Sequence, residues 1–203
     1  MNYLFAHPGI VGAHLLEHLA LTASALAIAI VIAVPLGILV NRVRASSAPI
    51  LGVLGVIYTI PSLALFALLI PLEGLGFMTA VTALAAYAQM ILVRNIAAGL
   101  DTVPAAQKDA ARGLGFSPFQ QLVRIELPQA LPVMLGGFRI ATVSVIGIAN
   151  IAAWINAGGL GTLLFAGIQQ DDPGKIVAGS LASALLAIGA DTGLRAIEKR
   201  ARA

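Results

Sequence analysis

The sequence predicts an all-α polytopic membrane protein with about five transmembrane helices, and three observations carry that expectation. Of its 203 residues, 59% are hydrophobic and only 10% charged, whereas soluble domains carry about 25% charged residues. The apolar residues gather into runs of about 17–25, long enough to cross a hydrocarbon core. The cations are distributed unevenly between the connections, as topology determinants are. Inside the hydrocarbon only helices satisfy their own backbone groups, so each run is read as helix despite its β-branched residues.

Residues 1–18 form a mildly amphipathic segment expected to lie on the outer surface. They lack a basic n-region, and the apolar run that follows is too long for a signal h-region, so no cleavable signal peptide is expected. The spans are expected at residues 19–40, 49–72, 77–93, 132–155 and 176–194. Pro35 and Pro61 fall inside the first two and should kink or break them. Residues 156–174 connect the last two spans through GGLG (158–161) and QQDDPG (169–174), and the glycines there are expected to form a flexible turn. No internal repeat and no second domain are visible.

The cations set the orientation. Arg42 and Arg44 lie between spans one and two. Arg94, Lys108, Arg112, Arg124 and Arg139 lie in or beside the connection between spans three and four. Arg195, Lys199, Arg200 and Arg202 follow span five. Of the 12 lysines and arginines only Lys175 falls on the other side. That places the amino terminus outside and the carboxyl terminus, with a basic tail at 196–203, in the cytoplasm. The pI near 9.7 therefore reflects topology and not a nucleic-acid surface. Cysteine is absent, which excludes disulfides, thiol catalysis and Cys-ligated metals.

The connection between spans three and four, about 104–131, holds the most chemistry. Pro104 suits the first turn of a helix, and Ala105, Ala106, Ala110 and Ala111 favour helix while keeping its surface small. Gly113 and Gly115 should end that helix and permit close backbone approach. Ser117 is a plausible N-cap with Pro118 at the first helical position. A second helix, 119–126, should stop before Pro128. The product is a pair of short helices about a glycine elbow, held at the membrane surface by Leu122, Ile125 and Leu127. A small-faced helix of this kind suits a knob that fits a groove on another protein, and an ordinary amphipathic loop is the alternative. Asp109 is placed to favour the helix N-terminus or to pair with a partner's cation.

The order Asp109-Ala110-Ala111, then Gly115, then Ile125-x-Leu127-Pro128 resembles the EAA loop of binding-protein-dependent ABC importer permeases, with Asp in place of the usual Glu. AVPLGILV (33–40), IYTIPSLALFALLIP (57–71), LVRNIAAGLDTVP (92–104), GGFRIATV (136–143) and INAGGLGTLLFAGI (155–168) resemble the osmoprotectant branch of that superfamily. YAQMILVRN (87–95) lacks the proline that branch would place there, so a straighter third span is expected. The resemblance implies a type I importer fold like that of methionine permeases, over residues 19–195. It implies an ATPase-coupling loop made of Asp109, Ala110, Ala111, Arg112, Gly113, Leu114, Gly115, Phe116 and Ser117, closed by Leu127 and Pro128. It also implies a second permease subunit, identical or homologous, ATPase subunits and an external binding protein. The implied solute is glycine betaine, choline, carnitine or a similar quaternary amine, with methionine-type amino-acid import as the runner-up.

No GxxxxGK[ST] occurs, so a partner must cradle ATP, and the chain itself is expected to hold no cofactor and no metal. His14-Leu15-Leu16-Glu17-His18 has the HxxEH spacing of a zinc peptidase, but without a third ligand it reads better as a polar interfacial face. An intramembrane metalloenzyme and a stand-alone channel are the formal rivals. Asp191 and Arg195 sit at the i,i+4 spacing of a structural pair, while Arg139 should snorkel to the surface or reach the loop carboxylates. Tyr58, Tyr87, Asn150 and Trp154 are candidate path residues, because aromatic faces attract quaternary ammonium groups. Their alternative role is packing and interfacial anchoring.

Overall fold

The computed structural model describes residues 2–201. Met1 and Arg202, both counted above, lie outside the described residues. The helices are α1 (Asn2–Ala6), α2 (Pro8–Arg42), α3 (Arg44–Thr59), α4 (Ser62–Glu73), α5 (Phe77–Asp101), α6 (Ala105–Gly113), α7 (Pro118–Gln121), α8 (Leu127–Ala149), α9 (Gly161–Gln169) and α10 (Pro173–Ala201). A π-helical turn, Leu122–Glu126, joins α7 to α8, and a 3₁₀ turn, Ile151–Ile155, follows α8.

Four helical stretches are long and apolar enough to cross a membrane: α2, α5, the continuous stretch Pro118–Ala149, and α10. The expected second span is a pair of helices, α3 and α4, meeting at 101°. The break falls at Ile60-Pro61, where both residues are extended. Pro61 has no N–H to give and forces its predecessor out of the helical region. Pro35, by contrast, sits within the uninterrupted α2.

The long helices extend further toward the termini than the apolar runs alone indicate. The segment expected at the outer surface is only in part separate from the first span: α1 stands before it, but α2 begins at Pro8, so residues 8–18 run on into that span. Its His18 is fully buried. Pro8 starts the helix without sacrificing a hydrogen bond, and no breaker follows before Pro35 except Gly9 and Gly12, which a helix tolerates. At the other end, α10 runs to Ala201, so residues 196–201 of the basic tail are helical and continuous with the last span.

The core is organised on α5, most of whose side chains are buried. It packs between α2 and α8, with α3 and α4 also against it, while α10 lies on α8. Leu21, Phe66, Leu84, Leu100 and Val145 fill the interior. Small residues let the backbones approach, as helices in lipid require. A methyl group at Gly137 of α8 would fall 2.2 Å from the Asn95 Cβ of α5, and one at Gly37 of α2 would fall 2.5 Å from Ile96. Val31, Val56, Leu68 and Leu185 point outward. Helices apolar on their outer as well as inner faces suit hydrocarbon surroundings.

Candidate functional site

The connection from α5 to α8 is where the sequence concentrates its polar chemistry. Helix α6 starts directly after Pro104 and ends in a glycine-dependent motif. Gly115 adopts φ +79°, a region that side chains avoid. Its N–H donates to the Arg112 carbonyl at 3.0 Å, and the Phe116 N–H donates to the Ala111 carbonyl at 3.1 Å. These two bonds define a Schellman cap. The spacing Ala111-x-x-x-Gly115 therefore has a physical reason: the Ala111 carbonyl is an orphan of the helix end, and only a left-handed residue four positions on brings the next N–H back to it. Ala111 itself is buried.

The chain turns at once into the next helix. The Ser117 hydroxyl accepts from the Gln120 N–H at 3.3 Å, and the Gln120 side chain accepts from the Ser117 N–H at 2.9 Å. This reciprocal capping box fixes the elbow. Between the two helices Leu114 is 77% exposed, and Phe119 just beyond is 73% exposed. Two large apolar side chains at the tip of a polar connection form a knob whose tip is exposed among the described residues.

The second helix does not stop before Pro128 as expected. It widens into the π turn, where the Leu127 N–H reaches back to the Leu122 carbonyl, and then continues as α8. The wider turn relieves the clash that a proline makes with the preceding turn, so 118–149 is one helical stretch. Asp109 is also placed differently. It lies a full turn into α6 and pairs with Arg112 of the same helix at 2.5 Å, with both side chains about two-thirds exposed. Such a pair contributes little to stability.

Sequence reasoning missed Glu126. Its side chain is fully buried. Its Oε1 accepts from the Arg42 guanidinium at the end of α2 (2.8 Å) and from the Gln121 amide (2.6 Å). Its Oε2 stands 4.0 Å from the Lys108 ammonium of α6. The signal was present: Glu126 lies four residues after Leu122 and so shares its inward face. Lys108 meanwhile donates to the Leu100 carbonyl at the end of α5, at 3.1 Å.

The candidate path residues divide into two groups. Tyr58 of α3 and Tyr87 of α5 meet edge to face with centroids 6.2 Å apart. The Tyr87 hydroxyl donates to the Ile60 carbonyl, satisfying a backbone group that the α3–α4 break leaves open. Tyr58 is 44% exposed. Asn150 instead donates to the Ile146 and Gly147 carbonyls and accepts from Ser183 of α10 at 2.8 Å. Trp154 packs edge-on against Phe165.

The HxxEH segment serves the fold. His18 donates from Nε2 to the Ile146 carbonyl (3.1 Å) and accepts at Nδ1 from the Leu160 N–H (3.3 Å), so both ring nitrogens are used. Glu17 accepts from His14 (3.0 Å) and from the Gly159 N–H (2.9 Å). The GGLG turn, expected to be flexible, is thus docked on α2. Gly158 and Gly159 take φ values of +81° and +86° to present those N–H groups. Midway along α8, Arg139 turns to the carboxylates of α10 and not to those of the loop. It pairs with Asp191 at 2.9 Å and with Glu198 at 3.4 Å, and Asp191 also holds Arg195 at 3.2 Å.

Comparison with known proteins agrees with this architecture. Residues 20–203 match the family described as binding-protein-dependent transport system inner membrane component. The chain is 43% identical over 196 residues to the osmoprotectant import permease protein OsmW of Salmonella typhimurium, covering 94% of this chain and 91% of that protein. It is 35% identical to the choline transport system permease protein OpuBB of Bacillus subtilis, covering 91% and 85%. The fold superposes on an inward-facing MetNI methionine ABC transporter chain with a TM-score of 0.84 at 20% identity, covering 94% and 95% of the two chains. The chain belongs to the family of binding-protein-dependent transport system inner membrane components: it is the permease subunit of an ABC importer, a transport subunit and not an enzyme.

Proposed function

We propose that this permease carries a quaternary-amine osmoprotectant such as glycine betaine, choline or carnitine into the cytoplasm. The observation that carries the substrate class is the 43% identity, over nearly the whole chain, to a permease named for osmoprotectant import. The half-exposed Tyr58 beside Tyr87 at the α3–α4 break supports it, since an aromatic face attracts a quaternary ammonium group. Asn150 and Trp154 complete the proposed path.

The same reading assigns the knob from Asp109 to Ser117 to the ATPase. Leu114 and Phe119 enter a groove of that partner, the Schellman cap and capping box hold their relative position, and Leu127-Pro128 leads into α8. ATP sits on the partner, because the chain has no phosphate-binding loop. Closure of the ATPase pair moves the knob, and the bundle rocks between inward- and outward-open states. A second permease, identical or homologous, completes the pathway, and an external binding protein delivers the solute. The cation bias places the knob and the carboxyl terminus in the cytoplasm and the amino terminus outside.

The test is uptake into proteoliposomes that contain this permease with its ATPase, its binding protein and, where the pair is heteromeric, the second permease. Radiolabelled choline and glycine betaine should accumulate only with ATP, and excess methionine should not compete. Accumulation of methionine alone would replace the substrate class. Flux through the permease without the ATPase would overturn the importer reading.

A further inference from the structure

The buried carboxylate of Glu126 joins parts of the chain that the proposed mechanism requires to move together. On one side is Arg42, the last residue of α2. On the other is Lys108 of α6, the helix that carries the knob. Gln121, at the end of α7, fixes the carboxylate from below. Glu126 itself closes the π turn that leads into α8. One side chain therefore touches the knob helix and the ends of two long helices.

Its two oxygens are used unequally. Oε1 accepts both the 2.8 Å bond from Arg42 and the 2.6 Å bond from Gln121. Oε2 is buried and makes no hydrogen bond among the described residues. A buried oxygen without a donor is costly, and more so for a charged group. The Lys108 ammonium stands 4.0 Å away, held by the Leu100 carbonyl. A shift of about 1 Å would bring it to the 2.7–2.9 Å of a charge-assisted bond. Lys108, with three N–H donors, thus has two acceptors in reach, one on α5 and one on the turn into α8. The π turn supplies local give, as such turns commonly do where a helix must adjust.

We propose that Glu126 is the joint that passes movement of α6 to α2 and α8, and that Lys108 closes on Glu126 Oε2 during the transport cycle. Glu126 and Lys108 are positioning residues; neither lies at the exposed tip of the knob. The proposal rests on the assignment of that knob to the ATPase.

The test uses the complete transporter in proteoliposomes, with wild type, Glu126→Gln and Lys108→Gln compared for solute uptake and ATP hydrolysis in the same vesicles. The readout is solute moved per ATP hydrolysed. A merely structural defect lowers the amount of active complex and scales both rates together, leaving this ratio unchanged. The joint predicts that the ratio falls at least about fivefold in both variants, the scale of a modest coupling between sites. An unchanged ratio in Lys108→Gln overturns the proposal. That variant leaves the Arg42–Glu126 pair in place, so it decides the matter even where Glu126→Gln fails to assemble. Failure of the wild-type permease to retain an ATPase subunit is a different outcome: it removes the docking assignment itself, and the joint with it.

Discussion

Replacing Gly115 with alanine separates backbone strain from bulk in the knob. The residue holds φ at +79°, and a Cβ built there meets no atom within 4 Å. The added methyl group therefore has room inside the chain, and the whole penalty is that of an L-residue in the left-handed region, about 1–2 kcal/mol. That energy opposes the two cap bonds from Gly115 and Phe116 and shifts the knob toward conformations in which Leu114 and Phe119 no longer share their present geometry. The bundle is untouched, because Gly115 is exposed. Affinity for the ATPase subunit should fall by about 5–30-fold, the factor that 1–2 kcal/mol represents. Asparagine tolerates the left-handed region far better than alanine, so Gly115→Asn should lose less. A titration of labelled ATPase subunit onto the permease in nanodiscs gives both values. Alanine binding like glycine, or asparagine binding more weakly than alanine, would refute the strain argument; the second result would mean that the partner excludes side-chain volume at this point.

Gly137→Ala should lower bundle stability by about 1–3 kcal/mol, because the new methyl group would meet Asn95 at 2.2 Å and one helix must give way; thermal unfolding in detergent reads this. Tyr87→Phe leaves the Ile60 carbonyl without the hydroxyl it now receives and should destabilise by about 1–3 kcal/mol, with the largest rise in proteolytic sensitivity at the α3–α4 break. His18→Ala removes two buried hydrogen bonds and should cost about 1–3 kcal/mol, whereas His14→Ala loses only the contact with the half-exposed Glu17 and should change the melting temperature little. Equal effects of the two histidine variants would contradict the clamp between α2 and the GGLG turn.

What was legible in the sequence was set by composition and local chemistry. Apolar run length gave five crossings when the bent α3–α4 pair is taken as one. Ser117-Pro118 gave a helix start, and Asp191 with Arg195 gave an i,i+4 pair. The failures were tertiary. Nothing local to residues 1–18 shows that His18 has carbonyl and amide partners 128 and 142 positions away, so the segment read as a surface helix. Pro128 read as a stop because the rule for proline presumes a regular α-turn before it, and the π turn at 122–126 removes that premise. The partners of Arg139 come from α10, 52 and more residues on, so its polarity was visible but its pairing was not. Glu126 was readable from its four-residue spacing to Leu122, but its partners Arg42 and Lys108 lie on other helices.

The most direct test of the account is a cross-link from the tip of the knob. The chain contains no cysteine, so a single Leu114→Cys, at an exposed position, gives one reactive thiol. The control is Leu75→Cys, also exposed, in the connection between α4 and α5, which lies on the opposite side in the proposed orientation. A short thiol-to-amine cross-linker applied to native membranes should join the Leu114→Cys chain to an ATPase subunit and leave the Leu75→Cys chain without that adduct. An ATPase adduct at Leu75→Cys and none at Leu114→Cys would contradict both the docking surface and the orientation.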